Sequence, residues 1–171
     1  MSGSSLAETR LVQELTGPWE VSFNPDWGGP QHVVFEQLDD WTKRPEEGIR
    51  YYSGTATYRK PFEVSLPEAK SLKSPVFLDL GIVKNLARVW LNGHDLGVIW
   101  TSPWRVEITD ALKPGSNDLK IEVVNLWPNR LIGDARLPKE QRRTVTNVEK
   151  FDKPGAVLLE SGLLGPVTLR N

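Results

Sequence analysis

The sequence contains no cysteine, and its 171 residues include one methionine and two histidines. Without cysteine the chain can form no disulfide, and cysteine nucleophiles and thiolate metal ligands are excluded. Two histidines, His32 and His94, are too few to favour a zinc site, and they lie in unrelated contexts. These shortages remove several classes of catalytic and metal centre from consideration.

The chain also lacks a surplus of charge and a long apolar run. The formal net charge is −1, so we expect no nucleic-acid partner, because neutralising several phosphates requires a basic surplus. No apolar run approaches the roughly 18 residues of a membrane span, and we expect no membrane partner. The opening MSGSS lacks the basic and apolar regions of a signal peptide, and we interpret residues 1–14 as a cloning remnant or linker. Residues 15–171 then form one domain.

Short strand-like runs occupy most of that domain. They alternate apolar and polar residues or are rich in β-branched and aromatic residues, and they cover 19–23, 32–38, 53–64, 76–81, 86–93, 95–100, 104–109, 118–126 and 166–170. The Asn-Gly pair in LNGHDLG predicts a tight hairpin. No segment shows a long helical period. The pattern predicts an all-β protein, an antiparallel β-sandwich of the jelly-roll type.

One segment, at about 127–156, interrupts the succession of strands. It reads WPNRLIGDARLPKEQRRTVTNVEKFDKPGA and is rich in charge, with a basic middle formed by Arg136, Lys139, Arg142 and Arg143. Connections of this length inside a compact domain are uncommon and are often functional. We predict an irregular insertion, with a solvated loop over residues 138–153.

Catalytic motifs are scarce. The sequence has no phosphate-binding loop, no dinucleotide-binding glycine motif, and neither HExxH nor GxSxG. A glycosidase would need two facing carboxylates, for which Glu107 and Glu122 are candidates, but each belongs to a simple polar-outward alternation. Asn24 and Asp26 in NPDWGG fit an Asx turn or a structural calcium site. We therefore predict no catalytic residue and no cofactor, with calcium left as an alternative.

Tryptophan is abundant, with seven residues. Trp19, Trp41 and Trp90 lie in or beside apolar runs and are predicted core residues. Trp100 and Trp104 flank a Thr-Ser-Pro turn, and Trp127 follows the last residue of a strand-like run. A sugar-binding surface combines an exposed ring with planar polar groups. The predicted ligand-binding residues are Trp100, Trp104, Asn125, Trp127, Asn129, Arg130 and Asp134.

Several segments, among them LTGPWEVSF, SGTATYRKPFEV and LARVWLNGHDLGVIWTSPWRVEITDALKPGSNDLKIEV, resemble the sugar-binding jelly-roll domain of family 2-type glycoside hydrolases. The likeness is strongest to the C-terminal domains of bacterial enzymes of the family 106 α-L-rhamnosidase type. It covers the chain from about residue 15 and implies a galactose-binding-like fold.

The resemblance implies an accessory domain, because the catalytic residues of such enzymes belong to a separate barrel of roughly 250 residues. The expected partners are a carbohydrate and the catalytic domain of the parent enzyme, and the expected location is periplasmic or extracellular. Two alternatives remain open. One is a purely structural domain packed on the catalytic barrel, and the other is a small stand-alone jelly-roll glycosidase.

Overall fold

The computed structural model describes residues 9–65, 74–148, 151 and 155–171. Its strands and helices, in chain order, are β1 (Leu11–Glu14), β2 (Trp19–Phe23), β3 (Val33–Phe35), α1 (Glu47–Arg50), β4 (Thr55–Val64), β5 (Phe77–Asp79), β6 (Ile82–Lys84), β7 (Leu86–Leu91), β8 (His94–Ile99), β9 (Arg105–Glu107), β10 (Gly115–Val124), α2 (Pro128–Ala135), β11 (Gly162–Gly165) and β12 (Thr168–Arg170). Short 3-10 turns at Pro25–Trp27, Trp41–Lys43 and Lys139–Gln141 lie between them.

The larger sheet has six antiparallel strands in the order β3-β2-β4-β10-β7-β8. Its centre is the ten-residue pairing of β10 with β4, from Gly115↔Val64 to Val124↔Thr55. Leu119, Ile121 and Val123 of β10 are fully buried, whereas the intervening Lys120 and Glu122 form an ion pair at the surface. One face of this sheet is therefore apolar and the other is polar, as the alternation in the sequence predicted.

A second sheet covers the apolar face. It has the order β1-β12-β5-β9, and a two-stranded sheet of β6 and β11 lies beside it. Buried residues of both sheets, such as Leu78 and Leu169 from one and Val89 and Ile121 from the other, belong to a single hydrophobic cluster. The predicted all-β antiparallel sandwich is confirmed.

The predicted Asn-Gly hairpin joins β7 to β8. Asn92 has φ 52° and Gly93 has φ 82°, the backbone of a type I′ turn, which suits the twist of the two strands. The Asn92 side chain donates a hydrogen bond to the carbonyl oxygen of Ala111 at 2.8 Å and accepts one from the amide of Asp118 at 3.0 Å. The hairpin is thereby bonded to the N-terminal half of β10 and to the turn before it.

The structure corrects two interpretations of the sequence. Residues 11–14 are not a linker, because β1 pairs with β12 from Leu11↔Arg170 to Glu14↔Thr168. Trp90 is not a core residue. Ala87, Val89 and Leu91 point inward, so Trp90 lies half-buried on the outer face. The centroid of its ring is 4.0 Å from Lys120 Nζ. Trp19 and Trp41 are buried as predicted.

The segment at 127–156, predicted to be irregular, begins with a helix. α2 spans Pro128–Ala135 and buries five residues, Asn129, Arg130, Ile132, Gly133 and Asp134. Among the described residues that follow, up to Val148, a single 3-10 turn forms. The helix was missed because it has only eight residues, too few for a helical period to be evident.

Candidate functional site

Two tryptophan side chains are presented at one end of the sandwich by short local structures. Trp27 ends a 3-10 turn in which Asn24 Oδ1 accepts a hydrogen bond from the amide of Asp26 at 2.9 Å, and Gly28 adopts φ 83°. Trp127 precedes Pro128, whose ring starts α2. The two side chains are 40% and 65% exposed. Both rings therefore offer apolar surface to a ligand.

The two rings line a common cleft of about 340 Å³, together with Asn24, Tyr52, Asn125 and Arg130. We call it the tryptophan cleft. Its volume lies within the range of ~300–1,000 Å³ typical of small-molecule sites. Among the described residues that line it, two have ionisable side chains, Arg130 and the phenol of Tyr52. The cleft is thus mainly apolar, with a few polar groups at its base.

Tyr52 forms part of that base. Its hydroxyl donates a hydrogen bond to the carbonyl oxygen of Thr55 at 2.9 Å and accepts one from the amide of Asn24 at 3.1 Å. Burial raises the pKa of this phenol, so the hydroxyl stays protonated at neutral pH. Tyr52 therefore holds the turn that carries Trp27 against the start of β4.

The amide side chains of Asn125 and Asn129 are engaged within the protein. Asn125 accepts from the amide of Gly54 at 2.9 Å and donates to the carbonyl oxygen of Tyr52 at 2.8 Å. Asn129 donates to the carbonyl oxygen of Leu159 at 2.7 Å and accepts from its amide at 2.8 Å. Both side chains also donate to Ser161 Oγ. These amide groups hold the wall of the cleft in place, and most of their hydrogen-bonding capacity is engaged within the protein.

Arg130 and Asp134 form a buried ion pair one helical turn apart, with Arg130 Nη2 2.8 Å from Asp134 Oδ1. The second oxygen, Asp134 Oδ2, accepts from the amides of Arg143 and Thr144 and from the Thr144 hydroxyl, at 3.1, 2.7 and 2.6 Å. Asp134 therefore anchors the segment after α2. Arg130 lines the tryptophan cleft, whereas Asp134 does not.

Trp100 and Trp104, also predicted to bind ligand, do not line this cleft. Trp100 directly follows β8 and is 75% exposed. Trp104 is half-buried against the hydrophobic core, and its carbonyl oxygen accepts a hydrogen bond from the amide of Leu80 at 2.8 Å. Trp104 thus anchors the start of β9, while Trp100 belongs to a separate exposed surface beside Val98.

Sequence reasoning did not select Trp27, Tyr52 and Thr144 as residues of the cleft. NPDWGG was interpreted as a turn or a calcium site, and the exposure of Trp27 follows from the turn once Asn24 caps it. Tyr52 and Thr144 have no distinguishing signal in the sequence. They reach the cleft because β4 and the segment after α2 pass beside it.

The carboxylate and calcium candidates have ordinary local partners. Glu107 accepts a hydrogen bond from the Thr109 hydroxyl at 3.0 Å, and Glu122 pairs with Lys120 at 2.8 Å. The two glutamates lie on different sheets. Asn24 Oδ1 is bonded to the amide of Asp26, and the described residues contain no cluster of three or more histidine or acidic side chains suited to a metal ion.

Within the part of the chain described, no helix is long and apolar enough to cross a membrane.

Comparison with known proteins places this architecture in a family. Residues 37–153 match the model of the glycosyl hydrolase 2 galactose-binding domain-like family. A curated protein of Formosa agariphila, provisionally named a beta-glucuronidase, is 39% identical over an alignment of 196 positions that covers 99% of this chain and 17% of that protein.

Solved structures show the same relationship. A rhamnosidase from Novosphingobium sp. PP1Y superposes with a TM-score of 0.84 and 36% identity over 99% of this chain and 16% of its own. The beta-glucuronidase of Ruminococcus gnavus, at 20% identity, superposes with a TM-score of 0.55 over 71% of this chain and 22% of its own and shares the fold alone. The chain therefore spans about a sixth of the length of its nearer relatives in this group. It belongs to the family of galactose-binding-like domains of family 2 glycosyl hydrolases.

Proposed function

We propose that the chain is a non-catalytic accessory domain of a bacterial glycoside hydrolase and that its tryptophan cleft binds carbohydrate. The observation that carries the proposal is the pair of exposed rings, Trp27 and Trp127, lining one cleft of about 340 Å³. The flat apolar face of an indole suits the C–H face of a pyranose ring.

The absence of paired carboxylates supports a binding role over a catalytic one. Among the described residues lining the tryptophan cleft there is no aspartate or glutamate. Glycoside hydrolysis by the usual mechanisms needs two carboxyl groups flanking the scissile bond, about 5–10 Å apart. We assign catalysis to another domain of the parent enzyme, which the lengths of the relatives leave ample room for.

The parent enzyme is proposed to act on a rhamnose- or uronate-containing glycan. The names of the two nearer relatives, a rhamnosidase and a provisional beta-glucuronidase, support this class of substrate. The proposed location is periplasmic or extracellular, as for the glycoside hydrolases that the chain resembles.

Calorimetric titration with rhamnose-, galactose- and uronate-containing oligosaccharides tests the binding role. We expect weak binding by the chain, reduced about fivefold or more in Trp27→Ala and in Trp127→Ala, because stacking on each ring contributes of the order of 1 kcal/mol or more. Trp100→Ala is the matched control, since it removes an exposed tryptophan ring outside the cleft.

A second candidate function is packing against the catalytic domain, and exposed apolar side chains favour it. Trp100 and Val98 adjoin one another at the end of β8, away from the cleft. Exposed apolar patches of this kind occur at contacts between domains. If no oligosaccharide binds, while Trp100→Ala weakens association with the catalytic domain of the parent, the packing role replaces the carbohydrate-binding role.

A further inference from the structure

A second cleft, of about 470 Å³, adjoins the tryptophan cleft and shares Arg130 with it. Besides Arg130 it is lined by Arg136, Arg143, Tyr51 and Glu47, and we call it the arginine cleft. Its walls continue those of the first cleft, since Tyr51 precedes Tyr52 and Gly28 follows Trp27 in the chain. The two clefts therefore meet at Arg130.

The positive charge of this cleft is only partly compensated. Arg136 donates to the hydroxyl of Tyr51 and lies over its ring, and Arg143 Nη1 donates to the carbonyl oxygen of Asp26 at 2.7 Å. Both acceptors are uncharged. Among the described residues, Arg130 is the one of these three arginines that forms an ion pair. Glu47, the one acidic residue among the described residues lining the cleft, is exposed and offsets part of this charge.

The ion pair between the two clefts leaves polar atoms unsatisfied. Arg130 is only 6% exposed, and its Nε finds no hydrogen-bond acceptor among the described residues. Asp134 Oδ1 lies 2.8 Å from Arg130 Nη2 but likewise forms no hydrogen bond there, while Asp134 Oδ2 is committed to Arg143 and Thr144. Buried polar groups without partners are costly and call for an explanation. Arg130 is therefore incompletely paired, and an anion in the arginine cleft would add a counter-charge beside it.

The positions of the arginine side chains are restricted by close contacts. A Cβ atom at Gly28 would lie 2.8 Å from Arg143 Nε, and one at Gly133 would lie 2.8 Å from Arg130 Nη2. Both guanidinium groups therefore pack directly on glycine backbone. A side chain larger than glycine at either position would displace one of these guanidinium groups.

We propose that the arginine cleft is an anion subsite, which receives a carboxylate or sulfate group carried by the glycan whose ring stacks in the tryptophan cleft. The inference rests on the proposed carbohydrate-binding function and specifies its ligand as an acidic polysaccharide. Planar guanidinium groups bind such oxyanions through paired hydrogen bonds. The neighbouring clefts place the charged group beside the stacked ring.

Matched pairs of ligands test this assignment. We would titrate the chain, at constant ionic strength, with a glucuronate-containing oligosaccharide and its carboxyl-reduced counterpart, and with a sulfated galactan oligosaccharide and its desulfated counterpart. We expect one acidic ligand to bind at least about tenfold more tightly than its neutral partner, since one charge-assisted hydrogen bond supplies that difference. The preferred pair identifies the group as carboxylate or sulfate.

The variants are chosen to keep the fold. Arg136→Gln and Arg143→Gln alter exposed side chains, and together they are expected to reduce the ratio of acidic-ligand to neutral-ligand affinity to about one. The ratio is the readout, because loss of the Arg143 bond to the carbonyl oxygen of Asp26, beside Trp27, affects both ligands alike. Arg59→Gln is the control, because Arg59 is an exposed arginine of β4 outside both clefts. Nuclear magnetic resonance titration with sodium sulfate and sodium acetate reports on the anion subsite without a sugar ring to stack.

The outcomes separate the two proposals. Equal affinity for both members of each pair, or an acidic preference that survives the double substitution, overturns the anion subsite and leaves carbohydrate binding intact. If no oligosaccharide binds, the carbohydrate-binding function fails, and the free anions then decide the subsite. Saturable shifts of the Arg136 and Arg143 signals support it, and their absence overturns it.

Discussion

At the residue scale, the buried aromatic side chains are organised by a hydroxyl that the sequence does not mark. Trp41 Nε1 donates to Tyr58 Oη at 2.6 Å, and the amide of Leu163 donates to the same oxygen at 3.3 Å. The apolar context of Trp41 predicted its burial. Its partner was not predictable, because Tyr58 and Leu163 meet Trp41 only once the sheets have packed.

Tyr58 makes the stability of the protein depend on alkaline pH. Complete burial raises the pKa of this phenol, whereas in the unfolded chain it ionises near pH ~10. Its contribution is therefore fully present below about pH 10 and declines above it, by about 1.4 kcal/mol per pH unit. Chemical denaturation of the chain and of Tyr58→Phe between pH 8 and 11 measures this dependence.

The expected result is a difference that shrinks with pH. Below pH ~9 the Tyr58→Phe variant should be less stable by about 1–3 kcal/mol, because Trp41 Nε1 and the Leu163 amide lose their buried acceptor. Above pH ~10 the two free energies of unfolding should converge. Parallel curves across this range would contradict the role assigned to Tyr58.

At the element scale, α2 shows where sequence reasoning fails and why. The polar residues behind Trp127 were interpreted as groups for sugar hydroxyls, a role that the structure leaves untested for Asn129, Arg130 and Asp134. The sequence shows that these residues are polar, but not that Leu159 forms a hydrogen bond with Asn129 and Thr144 with Asp134. The segments that contain Leu159 and Thr144 follow the helix at a distance in the chain and carry no periodic pattern. The strands were predictable because alternation in β4 and β10 is local.

Asp134→Ala tests the anchoring role of this helix. The substitution leaves Arg130 buried without its counter-ion and removes the acceptor of Thr144 and Arg143. We expect a loss of about 3–5 kcal/mol in the free energy of unfolding, measured by chemical denaturation. Asp118→Ala is the control, because Asp118 is an exposed aspartate of β10, and it should change stability by less than about 0.5 kcal/mol. Similar losses in both variants would refute the anchor.

At the scale of the whole molecule, the sandwich brings together segments that the sequence separates. Its class was predictable from short alternating runs and the Asn92-Gly93 hairpin, which specify antiparallel neighbours. The tryptophan cleft was only half predictable. Trp127 was selected because it follows a strand, whereas Trp27 joins it because β2, β4 and β10 lie side by side. Trp100 was selected on the same local grounds, but β7 separates β8 from β10 and leaves it outside.

The indole N–H signals of the seven tryptophans, followed by nuclear magnetic resonance during titration with a uronate-containing oligosaccharide, test the central claim most directly. Single Trp→Phe variants assign Trp27, Trp100 and Trp127. The account predicts saturable shifts of the Trp27 and Trp127 signals with a common dissociation constant, while the Trp100 signal stays in place. Shifts confined to Trp100, or no shift of any indole signal at saturating ligand, would contradict the assignment of carbohydrate binding to the tryptophan cleft.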